Sequence, residues 1–195
     1  MKKSRNNVFE TNSSSCHSIT FSDETIGDLK GLTLHISGNG EYGWGPDNLY
    51  NPEEKLDYAL VAYLITKTKW IPLDTTLRDL ERVRSKLVSE VRTEVNTALA
   101  GVADCFRKHG VTVEWEDDIG EIETNSNYRV QPKYVGYIDH QSAPTEGGDS
   151  AVLADWFENN PEKLYQFVFN NSYAVRHRHR HEVFPDFLAV VCIGR

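Results

Sequence analysis

The chain has 195 residues, of which 39% are hydrophobic and 11% aromatic, so it can bury a core and form a single domain over residues 1–195. Its formal charge of −8 excludes a protein that coats nucleic acid with its whole surface and leaves only a local Arg/His patch for such a partner. Three cysteines without CxxC spacing, no signal peptide and no membrane-spanning stretch predict a protein of the bacterial cytoplasm with no membrane partner.

The first third of the chain alternates short apolar stretches with polar turns. Residues 17–22 and 32–37 have the pattern of short strands. Residues 38–46 contain too many glycines for regular structure and predict a loop that lies across a ligand or against a neighbouring element. Trp44 is best explained as an anchor for this loop, whereas Glu41 is a candidate ligand-binding carboxylate.

Two helices follow, and each has a recognisable end. Asn51 is a cap residue and Pro52 suits the first helical position, so a helix begins there with one apolar face. A longer helix is predicted over 76–109, and Gly110 ends it. Its apolar stripe consists of Leu77, Leu80, Val83, Leu87, Val91, Val95, Ala98, Val102 and Phe106. We expect this stripe to pack inside the molecule, the alternative being a partner helix.

The second half returns to strands with two short helices between them. Strands are predicted at 111–116, 133–138, 167–169 and 187–193, and helices begin at residues 150 and 161. Residues 117–127 are acidic and are predicted to be irregular. Strands, then helices, then strands predict an α+β fold in which a mixed or mainly antiparallel sheet packs with one long and several shorter helices.

Residues 9–18, FETNSSSCHS, are the most distinctive stretch of the chain. This motif resembles one near the start of a family of small, largely uncharacterised proteins of bacteria and their phages. Further segments at 40–44, 137–142 and 167–172 resemble later parts of the same family. The resemblance implies a shared architecture and a phage or prophage origin, and it carries no catalytic assignment.

Polar side chains cluster at two predicted strand ends. His17 and His140 are candidate catalytic residues, because an imidazole titrates near neutral pH and can act as a general acid or base. Asp139 is the third candidate, although neighbours on an extended strand point apart, so it need not orient His140 directly. Candidate ligand-binding residues offer hydroxyl, amide or carboxylate groups: Asn12, Ser13, Ser14, Ser15, Ser18, Glu41 and Ser142. The alternative is that the first motif caps a turn and His140 is a surface residue.

Two other features admit more than one interpretation. Cys16 adjoins His17, but sequence neighbours rarely face each other on a strand, so a cysteine nucleophile is disfavoured. Cys105 and Cys192 are predicted core residues. Residues 176–181 alternate arginine and histidine and can bind zinc, bind phosphate or form a solvated hairpin or loop within 170–186. The solvated segment is favoured, and we assign no residue to a metal and no cofactor.

The absence of P-loop, dinucleotide-binding and nucleophile-elbow motifs removes the commonest nucleotide and hydrolase folds. The leading hypothesis is a phage- or prophage-type cytoplasmic protein whose polar Ser/His/Asp site binds or hydrolyses a phosphate-bearing small molecule or nucleotide. The alternative is a non-enzymatic phage protein that binds and modulates a host protein. Whether the chain is an enzyme, and its oligomeric state, are open at this point.

Overall fold

A computed structural model describes residues 15–19, 29–42, 49, 51–125, 128–133, 135–139, 149–169 and 175–179, with backbone alone at 15–19, 149 and 175–179. Within these residues there are four helices and nine short strands. The strands form four small sheets rather than one continuous sheet. The architecture is α+β, which confirms the predicted class. Among the same residues, no helix has both the length and the apolar character needed to cross a bilayer.

Helix α1, Pro52–Thr66, is the centre of the core. As predicted, Asn51 caps it, and the Asn51 side chain accepts a hydrogen bond from the backbone N–H of Glu53 at 2.9 Å. The prediction of a single apolar face was wrong, because every residue from 55 to 64 is buried. Helices α3 (Asp149–Asn159) and α4 (Pro161–Phe169) and strands β2 (Thr33–Ile36) and β8 (Tyr137–Ile138) all contact α1 and cover its circumference.

Helix α2, Leu80–Lys108, is the predicted long helix, but it begins four residues later than expected. Residues 76–79 form a turn in which the Asp79 N–H bonds the Thr76 carbonyl. Leu77 therefore lies outside the helix and is 89% exposed, so its assignment to the apolar stripe was wrong. The residues of α2 that face the core are Val91, Val95, Ala98, Leu99, Val102, Cys105 and Phe106. Gly110, with φ +82°, follows the end of the helix as predicted.

Two of the small sheets are parallel pairs. Strand β2 pairs with β5 (Thr112–Trp115), and β3 (Glu41–Tyr42) pairs with β8. The other two sheets are antiparallel. They join β4 (Lys69–Trp70), β7 (Arg129–Pro132) and β6 (Ile122–Thr124) in that spatial order, and β1 (Ser15–Ile19) with β9 (Val175–His179).

Further predictions differ from the structure. Of the described residues in the predicted strand 133–138, only Tyr137–Ile138 form a strand, and the predicted irregular loop 38–46 contains β3. The acidic segment 117–127 contains strand β6, and strand β7 was not predicted at all. Residues 167–169, predicted as a strand, end helix α4 instead. The reason is that Leu164, Phe167 and Val168 recur at helical spacing and are all buried on one side of α4. The strand predicted at 187–193 lies outside the described residues.

Candidate functional site

The connection between β2 and β3 is organised by one carboxylate of α1. Asp57 is buried, with 8% of its surface exposed. Its Oδ1 accepts the Gly38 N–H at 2.6 Å, and its Oδ2 accepts the Gly40 N–H at 3.2 Å and the Tyr42 hydroxyl at 2.8 Å. Successive backbone N–H groups of this kind make a concavity that binds anions. Here Asp57 fills it, so these donors are already used.

The Tyr42 side chain completes this arrangement. Burial and, secondarily, the negative charge of Asp57 raise the pKa of Tyr42 well above its ordinary value. The phenol therefore stays protonated and donates to the carboxylate over the whole physiological pH range. The Tyr42 ring packs edge-on against Tyr58, with ring centroids 4.9 Å apart, which anchors β3 to α1.

Strands β3 and β8 run parallel, and their last residues lie side by side. Tyr42 is the register partner of Ile138, and the Asp139 N–H bonds the Tyr42 carbonyl at 2.8 Å. Gly136 allows this close approach, because a Cβ at that position would meet the Gly40 carbonyl oxygen. The chain therefore leaves both strands at the same edge. The segments at 40–44 and 137–142, both singled out in the sequence, thus meet at this edge through residues 40–42 and 137–139.

Two further ionisable groups, Asp139 and Lys55, are buried. Asp139, the residue that follows β8, is 1% exposed. Lys55 lies two residues before Asp57 on α1 and is fully buried, with Nζ 5.8 Å from the centroid of the Phe167 ring. Burial lowers the pKa of Lys55 to about 8, which places its titration close to physiological pH. Concentrations of buried ionisable groups are typical of functional sites.

A surface cavity of about 390 Å³ adjoins this edge. Its lining includes Leu64 and Ile65 from α1, Gln131 from β7 and the segment 135–138. Gly136 and Ile138 line this cavity. They also join it to the segment that Asp57 organises, because the Gly136 N–H bonds the Gly38 carbonyl and Ile138 pairs with Tyr42. Its volume lies within the range of small-molecule sites.

No protein-family model, curated protein or solved structure matches this chain. A functional assignment for this chain therefore rests on its own residues and their geometry.

The predicted site residues are only partly within the described structure. Ser15, His17 and Ser18 lie on β1, whose register places His17 opposite His177 and Ser15 opposite His179 of β9. Strand β1 also contacts α3. Asp139 is buried at the edge of β8, and Glu41 is exposed on β3. The remaining candidates lie outside the described residues: Asn12, Ser13, Ser14, His140 and Ser142.

Lys55 and Asp57 are the residues that the sequence analysis did not single out. Their signal was present, because residues 58–64 are apolar or aromatic at every angle around the helix. A helix that is hydrophobic all round is buried, and here the buried stretch includes Lys55 and Asp57 but not Glu53 and Glu54 at the start of the helix.

Proposed function

We propose that the chain binds a phosphate-bearing small molecule or nucleotide at the edge where β3 and β8 end. The observation that carries the proposal is the buried Asp139 at this edge, directly before His140 in the sequence and beside a cavity of ligand size. In proteins with parallel strands, ligands bind beyond the carboxyl ends of the strands, where the chain enters the following loops. The phage or prophage origin that the first motif suggests belongs to the same proposal.

The proposal gives different side chains different roles. Asn12, Ser13, Ser14, Ser15, Ser18 and Ser142 hold the phosphate oxygens through hydroxyl and amide hydrogen bonds. Because Asp57 occupies the backbone N–H groups of the loop, side chains rather than that loop must bind the phosphate. His17 and His140 donate to the ligand and, in the hydrolytic form of the proposal, activate water and protonate the leaving group.

Binding of unlabelled phosphate compounds to the full-length protein tests the proposal. Nucleoside mono-, di- and triphosphates and inorganic phosphate are titrated by calorimetry, and phosphate release is followed in parallel. His17→Ala, His140→Ala and Asp139→Asn should each weaken binding of the best ligand about tenfold or more. His35→Ala is the matched control, because His35 is exposed and pairs with Glu114 at 3.1 Å on the β2–β5 sheet. Normal binding by both histidine variants would contradict the proposal.

A second candidate function, binding to a host protein, is favoured by an apolar surface around the start of α2. Its members are Trp70, Leu73, Leu77 and Tyr128, which are 62%, 101%, 89% and 50% exposed. They lie in or beside a second cavity of about 240 Å³. Exposed aromatic and aliphatic side chains concentrated in one place are typical of interaction sites, where such groups serve as anchors.

Two variants test this second function, His17→Ala in the proposed phosphate site and the double variant Leu73→Ser/Leu77→Ser in the apolar surface. A complex with a purified host protein should survive His17→Ala and be lost in the double variant Leu73→Ser/Leu77→Ser. Val152→Ser is the control, since Val152 is a partly exposed apolar residue on α3. A complex that depends on His17 and tolerates the double variant would contradict this second function.

A further inference from the structure

Three metal-ligating side chains converge where the end of α2 meets the start of α4. Cys105 and His109 are four residues apart, one turn of helix, and so project from the same side. Glu162 reaches them from the first turn of α4. Its Oε2 lies 3.5 Å from the Cys105 Sγ and 3.1 Å from the His109 Nε2, and the three ligand atoms all lie within 4.8 Å of one another.

These separations suit a tetrahedral zinc ion. With Zn–S near 2.3 Å and Zn–N and Zn–O near 2.0–2.2 Å, neighbouring ligand atoms of such an ion are about 3.3–3.6 Å apart. The two separations from Glu162 Oε2, 3.5 Å to Cys105 Sγ and 3.1 Å to His109 Nε2, are close to this range, and the separation between Sγ and Nε2 is within 4.8 Å.

The surroundings orient the imidazole towards the carboxylate. The His109 ring stacks on the Tyr165 ring, with centroids 4.0 Å apart and planes at 15°. Tyr165 in turn packs against Phe106 and Phe169, so the stack rests on the core between α2 and α4. Groups that fix the ring of a ligating histidine raise metal affinity, because less side-chain freedom is lost on binding.

Exposure decides which kind of metal site this can be. Cys105 is 8% exposed, whereas the side chains of His109 and Glu162 are 36% and 54% exposed. An ion held by all three would keep a fourth position open towards solvent. A thiolate with an imidazole and a carboxylate favours Zn²⁺ over Mg²⁺ or Ca²⁺, which take oxygen ligands.

We infer that Cys105, His109 and Glu162 form a zinc-binding site with one position open to water. On binding, the ion replaces the thiol proton that Cys105 donates to Glu162, and that proton passes to solvent. The imidazole binds through Nε2 and keeps its proton on Nδ1. The ion then joins α2 to α4 directly, in place of two hydrogen bonds. This site shares no residue with the proposed phosphate site.

Cobalt replaces zinc in such sites and reports thiolate ligation by a sulfur-to-metal charge-transfer band. Full-length, reduced, metal-free protein is titrated with Co²⁺ and then with Zn²⁺. We expect one equivalent of Co²⁺ to produce the band and Zn²⁺ to remove it. Cys105→Ser should abolish the band, and His109→Ala and Glu162→Gln should each weaken Co²⁺ binding about tenfold or more.

The chain contains its own controls. Cys16→Ser and Cys192→Ser should keep the band, which assigns it to Cys105. The double variant His177→Ala/His179→Ala should also keep it, which separates this site from the Arg/His segment. His109→Ala and Glu162→Gln change exposed side chains, so they remain informative if Cys105→Ser fails to fold. A titration of the native protein without a thiolate band, or a band that persists in folded Cys105→Ser, would overturn the inference.

Discussion

The Tyr42 hydroxyl donates a hydrogen bond of 2.8 Å to Oδ2 of Asp57, which joins strand β3 to helix α1 across 15 residues of sequence. The same carboxylate also accepts the N–H groups of Gly38 and Gly40. One buried side chain therefore determines the path of the loop that leads into β3, and β3 in turn pairs with the strand before Asp139. The position of the proposed site thus depends on a contact made by none of its ligand-binding residues.

Removing only the Tyr42 hydroxyl should destabilise the protein. Tyr42→Phe deprives a buried carboxylate of one donor, which costs about 1–3 kcal/mol. Urea denaturation of the two proteins measures the difference. Tyr137→Phe is the control, because Tyr137 is 54% exposed on the paired strand β8, and it should change the free energy of unfolding by less than about 0.5 kcal/mol. Equal effects of the two variants would contradict the role given to Asp57.

Alanine should have opposite effects at two glycines. A Cβ at Gly136 meets the Gly40 carbonyl oxygen, so Gly136→Ala forces β3 and β8 apart and should cost about 2–3 kcal/mol. A Cβ at Gly101 meets no atom of the described residues within 4 Å, and alanine is the better helix former, so Gly101→Ala should stabilise by about 0.5–1 kcal/mol. Thermal unfolding of both variants gives the sign of each change in stability. If Gly136→Ala stabilises the protein, the close approach of Gly136 to the Gly40 carbonyl is contradicted.

Lys67 should contribute more to stability than an exposed lysine in an ion pair. It is 9% exposed, and its Nζ lies 2.6 Å from Glu158 of α3, 3.8 Å from Glu94 of α2 and 4.7 Å from the centroid of the Tyr63 ring. Lys67→Met leaves Glu158, which is 38% exposed, without this partner, whereas Glu94 keeps Lys69 at 2.6 Å, so the change should cost about 1–2 kcal/mol in urea denaturation.

Lys86→Met is the matched control for Lys67→Met. Lys86 pairs with Glu90 within α2 at 3.7 Å, and its side chain is 74% exposed. Exposed pairs of this kind contribute little, so the change should stay within about 0.5 kcal/mol. If both lysine variants lose the same stability, burial is not what gives Lys67 its importance.

Stability should depend on pH through Lys55. Because burial lowers its pKa from 10.5 to about 8, the unfolded chain binds more protons than the folded one between these two values. The contribution of Lys55 to the free energy of unfolding therefore rises with pH in this window, by about 1.6 kcal/mol from pH 8 to 9.5.

The measurement is the difference between the native protein and Lys55→Met, by urea denaturation at several pH values from 7 to 9.5. The difference removes the titration of all other groups, so its slope reports Lys55. Lys86→Met, which changes an exposed lysine, should run parallel to the native protein. A flat difference for Lys55→Met would mean that Lys55 keeps its ordinary pKa.

The sequence correctly predicted those features of the fold that depend on residues only a few positions apart. The start of α1 follows from Asn51 and Pro52, and the end of α2 follows from Gly110, because capping and backbone conformation are settled within a few residues. Strands β2 and β5 were also predicted from alternation alone.

Predictions failed where the outcome depends on distant residues. Leu77 continues the apolar spacing of α2, but it is 89% exposed among the described residues, and the helix begins only at Leu80. Strands β6 and β7 stabilise each other by pairing, and β7 also pairs with β4, which lies about sixty residues earlier in the sequence. The periodicity of a single short segment does not contain that information.

The sequence by itself determined the α+β class, the start of α1 and the end of α2, because composition, periodicity and capping act within a few residues. It also marked the segments around Glu41 and Asp139, though not that β3 and β8 would place them side by side. Only the tertiary structure decided that Asp139 is buried, and that Glu162 meets His109 across 53 residues. Burial and convergence depend on which elements pack together, and a segment of sequence does not specify its own partners.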